Sequence, residues 1–170
     1  MVDEATTGLA GVSASQVEMK SGIQFYDGIT TEEIQEILIK SASDLIDLDH
    51  PNYQFVAARL LLFSLRKQLY GKMRELPDLE SHIMSCTNID VYDKEIFVKY
   101  SREEIWKANS FIDHGRDFLF TYAGLRQVAD KYLVQDRSTG GVYETPQFMY
   151  MMIALTIFQE YPKDTRMSYV

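Results

Sequence analysis

Thr30-Thr31-Glu32-Glu33-Ile34-Gln35-Glu36-Ile37-Leu38 and, beyond a break at Asp49-His50-Pro51, Tyr53-Gln54-Phe55-Val56-Ala57-Ala58-Arg59-Leu60 running on to Ser64-Leu65-Arg66-Lys67-Gln68-Leu69-Tyr70-Gly71 decide the fold. Thr30 is placed to accept from the backbone N–H of Glu33 while the Glu33 carboxylate reaches back to the N–H of Thr30, the reciprocal pairing that starts a helix. Ile34, Ile37, Leu38, Ala42, Leu45 and Ile46 then recur every three or four residues, an apolar stripe with Gln35 on its flank. Pro51 is expected to end that helix, because it disfavours the α region at the residue before it and has no N–H for the ladder. A second helix is expected from Tyr53 to the glycine at 71, with Val56, Leu60, Phe63, Lys67 and Tyr70 in line.

Lys67 is the odd member of that line. One reading lets its methylenes lie along the core while the ammonium reaches water. The other makes it an anion ligand. A helix N-terminus carries about half a unit of positive charge and free N–H groups, and two antiparallel helices on a short connector put opposite ends together. The Thr31 hydroxyl and Lys67 then lie at one end of the pair, a seat for phosphate.

Ile23-Gln24-Phe25-Tyr26-Asp27-Gly28-Ile29-Thr30-Thr31, the Asp49 to Leu60 run and Leu65-Arg66-Lys67 resemble the ATP-cone of the large (alpha) subunit of class I ribonucleotide reductases. Phe111-Ile112-Asp113-His114-Gly115-Arg116-Asp117, Lys131-Tyr132-Leu133-Val134-Gln135 and Thr145-Pro146-Gln147-Phe148 resemble the helical segment that follows the cone and leads into the catalytic barrel. The likeness runs from about Val12 to Val170. It implies that Thr31 and Lys67 contact ATP or dATP as an allosteric effector. Gln35 and Ser64 stand where the best-known bacterial cones carry histidines that help to sense the nucleotide, a departure that touches regulation by dATP. The family's β-cap, which supplies further nucleotide contacts, precedes the point where this sequence starts. The resemblance also implies the remainder of a large subunit, a small radical-generating subunit and a large-subunit homo-oligomer as partners. The catalytic cysteines of the family sit on the barrel, so the chain alone is expected to carry no catalytic residue and no reductase activity. The rival reading is a stand-alone helical interaction module that has lost the nucleotide.

A formal charge of −8 over 170 residues argues against a general nucleic-acid surface. The single cysteine, Cys86, excludes an internal disulfide and suits a reducing, cytoplasmic setting; it reads as a small helix residue rather than a nucleophile. Met1-Val2-Asp3-Glu4 is acidic where a secretory leader needs a basic region and an apolar run, so no leader is expected, and the apolar run Phe148 to Phe158 falls short of the roughly twenty residues that span a bilayer.

Elsewhere, Ser13-Ala14-Ser15-Gln16 offers a capping box for a short helix using Val17, Ile23 and Phe25. The connector Lys72-Met73-Arg74-Glu75-Leu76-Pro77-Asp78 divides a partial cone, residues 1–72, from a helical reductase segment, residues 73–170. Leu79 to Thr87 reads as a helix with Leu79, Ile83 and Met84 inward, Tyr92 to Phe97 as another, and Ser101 opens a third through Trp106, which reads with the tyrosines as core. Asp113, His114 and Asp117 read either as a metal or acid–base site or as a salt-bridged corner; no metal is expected. Leu119 to Asp130 continues as helix. Tyr132-Leu133-Val134 and Val142-Tyr143, around Gln135 to Gly141, read as a small β-hairpin. Thr145 and Pro146 open a helix with Met149, Met152, Ile153, Thr156 and Ile157 on one face. Pro162 to Val170 holds a cap and the first turn of a helix, so the chain is expected to be a fragment. The fold class is thus mainly α, a partial ATP-cone followed by helices and one hairpin.

Overall fold

Ten α-helices and one 3-10 helix carry the chain from Met1 to Val170, all of which the computed structural model describes. They are α1 (Val2–Thr6), α2 (Ala14–Gly22), α3 (Thr31–Ser43), α4 (Tyr53–Tyr70), α5 (Leu79–Asn88), α6 (Ile96–Lys99), α7 (Arg102–Asn109), the 3-10 helix His114–Leu119, α8 (Tyr122–Lys131), α9 (Pro146–Phe158) and α10 (Lys163–Arg166). The mainly α class stands. The hairpin shrinks to one antiparallel bridge, Gln135 with Val142, flanked by the bond from Tyr143 N to the carbonyl of Val134 at 2.9 Å. The Glu144 carboxylate takes the N–H of Val134 at 2.8 Å, so a side chain replaces the next rung.

α4 is the axis. Val56, Ala57, Ala58, Leu60, Leu61, Leu62, Phe63 and Leu65 are all buried, too many sides of one helix for a single amphipathic face. α3, α1 and α8 pack around it. Gly71 ends it in the left-handed region, φ 67°, with its N–H on the Lys67 carbonyl.

The Thr30 capping box closes on both sides. The end of α3 differs from expectation: the helix stops at Ser43, well before Pro51, where the Ser43 hydroxyl bonds back to the Lys40 carbonyl at 2.8 Å and Lys40 pairs with Asp44 at 3.0 Å. The buried face is also rotated. Gln35, Leu38, Ile39 and Ala42 are buried, while Ile46, beyond the helix, is 39% exposed. At α2 the Ser13 side chain makes no cap; the Tyr53 hydroxyl instead accepts from Ser13 N at 2.9 Å and donates to Gln16 Oε1 at 2.6 Å. Val17 is buried, but Ile23 and Phe25 lie on the surface past the helix end.

Two hydrophobic clusters form. One joins α1 to α4 with Leu125 and Ala129 of α8, Leu133 and Met149. The other gathers Leu79, Ile83, Cys86, Tyr92, Ile96, Tyr100, Ile105, Phe148, Met151 and Leu155. In α5, His82 and Cys86 point inward and Met84 outward. Leu119, expected in a helix, sits at the exposed end of the 3-10 turn before Thr121 caps α8. α7 closes its box on Ser101 and Glu104, yet Trp106 is exposed and not core. Glu104 also receives two bonds of 2.6 Å from Arg166, which ties the last turn of the chain to the start of α7.

α9 turns a different side inward from the one expected. Phe148, Met151 and Leu155 join Met149 inside, and Ile153 and Ile157 face out, lining a groove of about 460 Å³ with Tyr132 and Ile96. A helix apolar on nearly every side has no period to choose its face. None of the helices is long and apolar enough to cross a membrane.

Candidate functional site

α3 and α4 run antiparallel, so Gln35, one turn into α3, meets Ser64, near the end of α4. The Ser64 hydroxyl donates to Gln35 Oε1 at 2.9 Å. This bond fixes the register that puts Thr31 and Lys67 at the same end. Lys67 is exposed, not laid in the apolar stripe, and its charge reaches far enough to help hold the neighbouring Glu32 carboxyl below its usual range.

Glu32 is the residue that pattern reading passed over. Its carboxylate folds onto its own backbone N–H and the Thr31 hydroxyl, the main causes of its lowered pKa, with Thr31 Oγ1 donating to Oε1 at 3.0 Å. Glu33 closes the capping box, accepting from Thr30 N at 2.8 Å and from the Tyr26 hydroxyl at 3.0 Å. The helix start thus already holds two anionic groups of its own. An acidic residue at the second helical position, beside a threonine and opposite a lysine, was the available signal.

The other departure is Arg66. One position from Lys67, it points the opposite way and is 3% exposed. Its Nη2 donates to the His114 carbonyl at 2.8 Å and to Asp117 Oδ2 at 3.1 Å, and the guanidinium lies 5.2 Å from the Phe118 ring centre. Asp117 is therefore committed to an ion pair. Burial raises its pKa, against the pull of Arg66. Burial lowers His114 to about 4, with Arg66 adding to the effect and Asp113 opposing it. Asp113 accepts from Gly115 N as the cap of the 3-10 helix. The salt-bridged corner is what folds, and no three acidic, His or Cys side chains are arranged to hold a metal ion.

A buried polar chain sits where α5 meets α9. Tyr92 donates to Glu144 in a short hydrogen bond, so its oxygen accepts from His82 Nε2 at 3.1 Å, and His82 Nδ1 faces the Tyr70 hydroxyl at 3.3 Å. The order of donors makes His82 the neutral, Nε2-protonated form. Cys86 Sγ is 3.9 Å from His82 Nε2, a juxtaposition that their i, i+4 spacing on α5 carries and that the sequence reading passed over. It is no activated thiol: burial pushes Cys86 up to about 11, helped by Glu144, and pushes His82 down to about 4.

This burial has a sign that can be measured. A histidine lowered to about 4 in the folded state takes a proton in the unfolded chain first, so the stability it holds above its ordinary pKa is lost as the pH falls from about 6.5 towards 4. Asp117 and Glu144, raised by burial, bind protons in the folded state first and offset part of that loss. Between about pH 7 and pH 5, His82 is expected to remove on the order of 2 kcal/mol, and His114, also lowered to about 4, adds a loss of the same sign in the same window. Urea midpoints at the two pH values check this; a His82→Asn variant as acid-sensitive as the parent would assign the loss to other groups.

The family profile described as the ATP cone domain matches residues 7–68, and the one described as the ribonucleotide reductase all-alpha domain matches residues 118–170. The alpha subunit of ribonucleoside-diphosphate reductase 1 from Escherichia coli K12 is 48% identical over all 170 residues, which are 22% of that protein. The alpha subunit of the Haemophilus influenzae reductase is 48% identical over 166 residues, 98% of this chain and 22% of its own length. That of the phage T4 reductase is 46% identical over 156 residues, 91% of this chain and 21% of its own. The chain spans about a fifth of the length of these curated relatives. With an ATP-cone profile on the α3–α4 pair and an all-alpha profile from Phe118 onward, the chain belongs to the ribonucleotide reductase large-subunit family and corresponds to its N-terminal region.

Proposed function

We propose that residues 1–72 act as an allosteric nucleotide site and residues 73–170 as the helical lead into a catalytic body, within a protein that reduces ribonucleoside diphosphates in the cytoplasm. Thr31 and the first turn of α3 take the phosphates of ATP or dATP, and Lys67 closes on them from α4. The observation that carries this reading is the Gln35–Ser64 bond, which brings Thr31 and Lys67 to one end of the helix pair inside the stretch that the ATP-cone profile matches. Three features suit the chemistry. The helix start offers the backbone N–H of Thr31 and, once the Glu32 carboxylate moves off it, that of Glu32, Thr31 a hydroxyl donor, and Lys67 an exposed cation. Glu32 leaves the Thr31 hydroxyl when phosphate arrives.

No residue of this segment performs the reduction, since Cys86 is its only thiol and is buried and protonated. ATP occupancy shifts the association of large subunits with one another and with a small radical-generating subunit, a coupling between distant sites.

Titrating the chain with ATP tests the site. Lys67→Ala is expected to weaken binding roughly tenfold to a hundredfold, the loss of a charge-assisted phosphate contact, and to leave the thermal midpoint without ATP unchanged. Calorimetry that finds equal ATP affinity in parent and variant would remove Lys67 from the site. A second reading, a helical interaction module, draws on the apolar side chains that α2 and the following turn expose: Met19 at 67%, Ile23 at 88% and Tyr26 at 58%. Under that reading neither protein binds ATP.

A further inference from the structure

Arg66 and Lys67 are consecutive on α4 but serve opposite sides of it. Lys67 is exposed at the end shared with Thr31, and Arg66 enters the interior to meet the 3-10 helix. A guanidinium and a carboxylate pair best as a fork, with two parallel N–H···O bonds. Here only one prong is made, from Arg66 Nη2 to Asp117 Oδ2 at 3.1 Å. The donor Arg66 Nε and the acceptor Asp117 Oδ1 are both buried without a partner in hydrogen-bonding geometry, the Gln147 side chain lying near enough to Asp117 to help hold its pKa down but not to bond Oδ1. An unmatched donor and acceptor on the two halves of one buried pair are costly to leave apart. Joining them would take a turn of α4 relative to the 3-10 helix. The structure holds the one-prong arrangement, and a second prong is the alternative that a coupling element needs.

The contacts beyond the pair lead away from the cone. The His114 ring meets the Phe148 ring at the start of α9 edge-on at 4.9 Å, and Phe148 stacks on His82 of α5 at 4.1 Å with the planes 7° apart. A shift of the 3-10 helix is thus felt in the second hydrophobic cluster, to which Phe148 belongs.

We propose that the Arg66–Asp117 pair is the positioning element that carries nucleotide occupancy from the cone into the all-alpha segment: phosphate drawing Lys67 turns the last turns of α4, the second prong closes, and the 3-10 helix moves with it. This rests on the reading of Thr31 and Lys67 as nucleotide contacts. Arg66 touches no ligand and acts only through its neighbour.

Hydrogen exchange of the chain with and without millimolar ATP tests it, together with an Arg66→Lys variant that keeps the buried charge but has no fork. In the parent, ATP is expected to slow exchange on the order of threefold or more in α3 and α4 and also in His114–Leu119 and the first turn of α9. Arg66→Lys is expected still to bind ATP, with an affinity changed by no more than the coupling it removes, and to show slowing in α3 and α4 alone. If Arg66→Lys does not fold, the double variant Arg66→Met with Asp117→Leu, which removes both charges and keeps apolar volume, takes its place with the same expectation. Slowing confined to α3 and α4 in the parent, or full transmission in the variant, overturns the coupling role and leaves the nucleotide site standing. No slowing anywhere overturns both.

Discussion

Asp117→Ala is expected to destabilise the chain by about 3–5 kcal/mol, because it leaves the Arg66 guanidinium buried without its counter-charge. Both groups are almost fully enclosed, at 3% and 1% exposure, so water has little access with which to replace the lost partner. Against a domain stability of about 5–15 kcal/mol, such a loss threatens folding at physiological temperature. The physical cause is isolable by a double substitution. Arg66→Met with Asp117→Leu removes both charges and restores apolar volume, and such replacements of buried ion pairs are often neutral or stabilising. The double variant is therefore expected to be more stable than Asp117→Ala alone, with denaturant midpoints of the three proteins as the readout. A double variant as unstable as the single one would mean that packing of the 3-10 helix, and not the orphaned charge, sets the loss. The double variant should also lose transmission of any nucleotide signal while remaining folded, which separates stability from coupling.

Phe148→Ala ranks beside it, with an expected loss of about 3–5 kcal/mol from lost transfer energy and the cavity left behind. Phe148 has no exposed surface and is the ring on which several elements converge. His82 stacks on its face, and the rings of Tyr70 and His114 stand edge-on to it at 6.5 and 4.9 Å. Removing it opens space beside His82, whose low pKa comes chiefly from burial, so the imidazole of the variant should titrate closer to its ordinary value. Thermal unfolding and a proton titration followed by NMR check the two halves separately. A variant that loses stability but keeps His82 near 4 would show that the cavity collapses and stays dry.

Local rules of helix starts and stops carried far in this chain. The boxes at Thr30 and Ser101 close as their spacing requires, because both partners lie within one turn and need no tertiary help. Gly71 ends α4 for an equally local reason, its positive φ. Failures cluster where distant groups compete. The Ser13 box is left open because the Tyr53 hydroxyl, from another helix, takes both the backbone donor and the Gln16 acceptor. The hairpin loses a rung to Glu144. Ile153 and Ile157 of α9 face out although their spacing is regular, since an all-apolar helix gives periodicity nothing to choose between.

The candidate site divides in the same way. Thr31 and Lys67 were readable as a possible anion seat from a capped helix, a short break and a cation near a helix end, and the family resemblance pointed to the same two residues. The sequence by itself thus determined the helices, the antiparallel pair and the family, because capping, glycine punctuation and motif identity are properties of neighbouring residues. Only the tertiary structure decided that Lys67 is exposed while Arg66 is the buried cation, that Asp117 answers it, and that His82, Tyr92 and Glu144 form one buried hydrogen-bonded chain beside Cys86. Those outcomes depend on which side of α4 and α5 faces another element, and that side is settled by packing among segments far apart in the chain, where hydrophobic burial and the cost of an unpaired buried charge outweigh local preference.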